Sequence, residues 1–154
     1  MENHQIRRAR ARVVALTTLA ALGTWMIAEP VLGVALMSPS SGGRAARDVN
    51  GWDVGVAAFV ASLVGWAALA VLERFTRRAK QVWIGVALAV AAMSLGGPLS
   101  GVGVSSANRA WLVVLHVVVA ATLIALLART ARRPSPSRPS PDKREFALTE
   151  ARRR

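Results

Sequence analysis

"VGVAAFVASLVGWAALAVL", Val54–Leu72, carries no charged residue, and its only side-chain polar groups are the Ser62 hydroxyl and the Trp66 indole N–H. A lipid-facing strand alternates polar and apolar positions, whereas this stretch is apolar on every side, so it predicts a membrane-crossing helix. Its length, about 19 residues, fits the roughly 20 that span about 30 Å of hydrocarbon. Three further blocks read the same way: 13–32, 82–99 and 110–128. The expected fold is an all-α integral membrane protein, a four-transmembrane-helix bundle. A basic N-terminus (1–12) precedes the membrane domain (13–130), and a Pro/Ser/Arg-rich tail (131–154) follows it.

Composition agrees with that reading. The 154 residues are 53% hydrophobic with a mean hydropathy of +0.39, yet the net charge is +12, a combination rare in a soluble domain. The apolar residues are gathered into blocks and the basic ones lie between and after them. The chain has no Cys, so disulfides, thiolate metal sites and cysteine nucleophiles are excluded.

The basic residues are unevenly distributed. Arg7, Arg8, Arg10 and Arg12 precede the first block, Arg74, Arg77, Arg78 and Lys80 fill the second connection, and a larger group follows the fourth block. Only Arg44, Arg47 and Arg109, three of the 20 Lys and Arg, fall on the first and third connections. By the positive-inside rule both termini are cytoplasmic (N-in, C-in) in a multi-pass protein of the cell (plasma) membrane. Trp52 and Trp111 open the second and fourth blocks, and Phe75 and Trp83 flank the basic turn, where bulky rings anchor helices at an interface. A basic stretch before an apolar core can also be a cleaved signal peptide. This core exceeds the usual h-region of about 7 to 15 residues, and Met26 and Ala28 make a poor cleavage site, so a retained helix is expected.

Two stripes of small residues recur at helical spacing: Gly55, Ala58, Ser62 and Gly65 in the second block, and Gly85, Ala89, Ala92 and Gly96 in the third. Lipid supplies no hydrophobic force between helices, so such stripes are expected to face the bundle interior, where they allow close backbone approach. A homodimer seam or a substrate groove is the alternative.

Ionisable residues inside a span are functional candidates, since each costs about 2.5 to 3.5 kcal/mol or more at the bilayer centre. Glu29 and His116 are the two here. At about 1.5 Å per residue, Glu29 falls about 6 Å below the outer boundary and His116 about 9 Å inside it, level with a helix break at Gly97 and Pro98. The two could form an intramembrane polar pair. The plainer expectation is that Glu29, followed by the helix-breaking Pro30, ends the first helix at the interface, and that His116 hydrogen-bonds between helices. A single intramembrane His argues against two-histidine haem ligation, and no cofactor or metal is expected.

No nucleotide fingerprint or catalytic constellation appears: "GGPLSGVG" lacks the Lys and Ser/Thr of a phosphate loop, and HExxH is absent. The chain is expected not to be an enzyme. "SPSSGGRAARDVNGWD", 38–53, reads as an exposed loop. The tail is too rich in Pro, Ser and Arg to build a core and is expected to be disordered. Arg129, Arg132 and Arg133, with Arg74, Arg77 and Arg78, are expected to contact anionic lipid at about 1 kcal/mol each. Nucleic acid is the weaker partner for this charge.

"LERFTRRAKQVW", "SLGGPL" and "LHVVVAATLIALLART" together resemble a domain-of-unknown-function family of small, mainly actinobacterial, four-helix membrane proteins, over about 12–130. The resemblance implies four membrane helices and no assigned activity. The reading is a structural or accessory membrane protein packing with itself or with partner membrane proteins. The alternatives are a small proton-coupled transporter using Glu29, and a lipid- or quinone-binding module around His116.

Overall fold

The computed structural model describes residues 2–38, 40, 47–100 and 104–131. Four stretches are long and apolar enough to cross a membrane: His4–Val31, Gly51–Phe75, Ala79–Leu99 and Ser106–Thr130. The elements are α1 (Glu2–Met26) with a π-helical turn at Ile27–Val31, β1 (Met37–Ser38), β2 (Arg47–Asp48), α2 (Gly51–Phe75), α3 (Ala79–Ser94), the short α4 (Gly96–Ser100) and α5 (Ser106–Thr130). The architecture is mostly helical, with one small antiparallel ribbon that pairs Met37 with Asp48 and Ser38 with Arg47. The tail from 132, with Arg132 and Arg133, lies outside the described residues.

Local chemistry sets the helix ends. Asn50 and Asp53 form a capping box in which the Asn50 side chain accepts from the Asp53 N–H at 3.0 Å, which starts α2 ahead of its apolar run. Ser105 caps α5 by accepting from the Asn108 N–H at 3.1 Å. That cap starts α5 at Ser106 rather than Ala110, and His116 moves toward the middle of the helix. The basic N-terminal residues are helical from Glu2 and extend α1 well beyond the apolar block.

Pro30 lies inside the π turn instead of ending α1. Having no N–H, it cannot bond to the Met26 carbonyl one turn back, and the chain widens around it. Leu32 N–H then bonds to Ile27 O at 3.1 Å, Val34 N–H reaches Ala28 O at 2.9 Å, and Gly33 closes the end in the left-handed region at φ +67°. Pro98 does the same kind of work after α3. The helix breaks at Leu95, and Pro98 has no N–H for the Ser94 carbonyl.

The helix α1 packs along both α2 and α5, while α3 lies against α5 and against the part of α2 nearest their shared turn. At that turn end the core is Val13, Leu69, Trp83, Leu123, Leu127 and Ala128. At the ribbon end it is Ala28, Leu36 and Leu112, with Ala21, Val54 and Ala58 between. The α2 stripe faces inward: Ala58, Ser62 and Gly65 are buried, and a Cβ at Gly65 would come within 3.1 Å of the Trp83 ring.

Two expectations are corrected here. Trp83 is 4% exposed and belongs to the core, not to an interface belt, while Phe75 and Trp52 are 84% and 79% exposed. The α3 stripe faces outward, with Gly85, Ala89, Ala92 and Gly96 all exposed and nothing within 4 Å of a Cβ built at Gly85 or Gly96. The two go together: the large indole turned inward packs with Leu69, Leu123 and Leu127, and it commits the Trp83, Ala87 and Ala91 face of α3 to the bundle.

Candidate functional site

Polar groups gather at three levels of the bundle. At the turn end, Arg10 and Glu73 form an ion pair with side chains only 4% and 8% exposed, Arg10 Nη2 lying 2.5 Å from Glu73 Oε1. Arg10 also donates through Nε to Thr130 Oγ1 at 3.3 Å and through Nη2 to the Thr130 carbonyl at 3.4 Å. One guanidinium therefore ties the start of α1 to the ends of α2 and α5, and its fan of fixed donors suits that task. Sequence reasoning treated Arg10 only as a topological charge. The signal was present: Arg10, Val13, Val14, Thr17 and Ala21 are all buried and recur at helical spacing, so Arg10 continues the buried stripe of α1.

At the ribbon end, Asn108 is 2% exposed and grips the backbone of Met37 twice, accepting from its N–H at 2.8 Å and donating to its carbonyl at 3.0 Å. The Trp25 indole donates to Val49 O at 3.3 Å, and Val49 N–H donates to Leu36 O at 2.8 Å. The first connection, read as an exposed loop, therefore folds back over the bundle at both of its described ends, because its backbone groups find partners there that water would otherwise supply.

Between these two ends lies a cleft of about 1000 Å³ framed by α2, α3 and α5. Its walls include Val60, Val64, Val86, Val90, Leu115 and Val119, and Trp83 with Gly65 closes it toward the turn end. Toward the ribbon its rim holds Arg47 and Asp53, paired at 3.1 Å. A smaller groove of about 480 Å³ runs between α1 and α2 near Thr18 and Trp66. His116 stands on the wall of the large cleft with Nδ1 at 2.7 Å from Leu112 O, one turn back on its own helix. That carbonyl can only accept, so Nδ1 carries a proton, and in the neutral ring Nε2 is then the acceptor nitrogen.

A family model of unknown function matches residues 2–133. The chain belongs to DUF6069. No curated protein and no solved structure matches it. The DUF6069 match contains all four spanning helices, the Arg10–Glu73 clamp, the Asn108 grip and the cleft, so these are features of the family's portion of the chain.

Within this DUF6069 bundle the structure does not join Glu29 to His116 by any hydrogen bond or ion pair. His116 bonds to Leu112, and Glu29 Oε2 is buried without a hydrogen-bond partner among the described residues. Glu29 is half-buried in the π turn and is not among the residues lining the cleft, whereas Gly97 and Pro98 are. Arg74, Arg77, Arg78 and Arg129 are exposed around the turn end.

Proposed function

We propose that this DUF6069 protein is an accessory integral protein of the cell membrane that acts by binding, not catalysis, and that its cleft takes a membrane-dissolved lipid. The ribbon end would lie outside, and the turn end and both termini in the cytoplasm, with Arg74, Arg77, Arg78 and Arg129 at the anionic inner surface.

The cleft carries this reading. The cleft is open at its side, with Val60, Val64, Val86 and Val90 exposed along it, so its apolar walls make full contact only when an apolar chain fills it. Small residues on α2 and α3 would let those helices close together, yet the Trp83 indole, wedged against Gly65, Leu123 and Leu127, holds them apart. From Asp53 to Ala68 along α2 the cleft runs about 22 Å at about 1.5 Å per residue, more than half of the roughly 30 Å hydrocarbon. An apolar chain inserted between the helices suits that length and lining. Proton-coupled transport gains no such support, because Glu29 does not line the cleft.

Mass spectrometry of lipid retained by the purified chain tests the proposal. Ala61→Phe, which places a ring in the cleft, should remove a lipid that the wild type retains, while helical content is unchanged. Equal retention by both would refute the assignment. Self-association is a second reading, favoured by the outward stripe of Gly85, Ala89, Ala92 and Gly96. It requires Gly85→Leu to convert an oligomer to monomer in detergent.

A further inference from the structure

Among the described residues, the cleft's one titratable side chain away from its rim is His116, and resting on the lipid-binding reading, we infer that His116 selects an occupant with a hydroxyl group: an alcohol or phenol on a long alkyl or isoprenoid tail. Three observations combine. First, Leu112 O at 2.7 Å holds the proton on Nδ1, which makes Nε2 an acceptor in the neutral ring. Second, Nε2 makes no hydrogen bond among the described residues, and it belongs to a side chain that lines the cleft. Third, the residues of its own helix that line the cleft beside it, Leu112, Leu115, Val119 and Ala120, have no side-chain donor, and the Ser94 hydroxyl, which lines the cleft from α3, already donates to Ala91 O at 2.8 Å.

A purely apolar occupant would cover Nε2 without satisfying it. A hydroxyl donating to Nε2 removes that penalty and adds a bond in a low-dielectric setting. Depth narrows the class further. His116 lies about 9 Å along α5 from Ala110, where the apolar run begins, and so below the headgroup region in which the donors of a phospholipid stay. The hydroxyl must therefore belong to a molecule whose polar part is small enough to enter the hydrocarbon. At the rim, Arg47 and Asp53 already pair with each other at 3.1 Å, so the site does not demand a charged head.

The test compares 4-dodecylphenol with its methyl ether, which differ by the one O–H, on the full chain in phosphatidylcholine nanodiscs. The phenol should bind wild type about tenfold more tightly, the worth of one hydrogen bond made where the alternative is an unsatisfied acceptor. In chain labelled with ¹⁵N-histidine, the His116 Nε2 resonance should shift with the phenol and not with the ether. His4, at the exposed start of α1, should shift with neither. His116→Phe should bind both probes alike. Equal affinity of the two probes for wild type, or a preference that survives in His116→Phe, overturns the role of His116 while the cleft stands. If neither probe binds wild type, the lipid-binding reading falls as well.

Discussion

Replacing Arg10 by Met removes the cation while keeping a flexible apolar stem. Glu73, with its side chain 8% exposed, would then face the helix ends of α1 and α5 without its guanidinium partner. Breaking a buried pair from one side costs about 3 to 5 kcal/mol, because the remaining charge keeps its desolvation penalty and loses its compensation. The two bonds from Arg10 to Thr130 are lost as well, at about 0.5 to 1.5 kcal/mol each, although Thr130 Oγ1 retains its bond to Leu127 O at 2.9 Å. Stability to denaturant in mixed micelles, followed by circular dichroism, should fall by about 4 to 8 kcal/mol. Glu73→Leu alone should also destabilise, since it strands the guanidinium. Together the two substitutions should recover most of the loss, because neither charge then remains buried, and replacing a buried pair by apolar groups is often neutral or better. The coupling in this cycle should therefore be at least as large as the pair's own loss, about 3 kcal/mol or more. A loss under about 1 kcal/mol for Arg10→Met, or additive single effects, would refute the view that the clamp holds three helices together.

Three other outcomes are expected. Reporter fusions at Ser41 and Arg133 should lie on opposite sides of the membrane, and a common side would remove the four-span topology. Asn108→Ala should free Met37 from both of its backbone bonds at about 1 to 3 kcal/mol. Faster amide exchange at Met37 and Val49, with the turn end unchanged, is the signature, and protection equal to wild type would contradict it. Glu29→Gln and His116→Ala should be additive within about 0.5 kcal/mol, since the two residues share no bond in the structure; coupling above that would restore them as a pair.

The spanning helices were legible in the sequence because transfer into lipid sums over the residues of one segment. A block such as Val54–Leu72 is long and apolar enough to cross a membrane whatever its neighbours do. The same locality made the Pro98 break and the uneven distribution of Arg readable, along with the inward stripe of α2. Tertiary structure alone decided what depended on residues far apart in the chain. Arg10 meets Glu73 across 63 positions, and Asn108 meets Met37 across 71. Each partner, read alone, is an ordinary basic, acidic or amide residue. Two faces of α3 were available to the bundle, one of small residues and one carrying Trp83, and the face that packs is the one whose indole meets Gly65, Leu123 and Leu127. That choice sent the small stripe outward and opened the cleft beside His116. The ring of His116 then found its carbonyl on Leu112, one turn back on its own helix, and Glu29 stayed in the π turn that Pro30 imposes. Depth in a bilayer can be counted along a helix, but the direction a side chain faces is set by the packing of its neighbours.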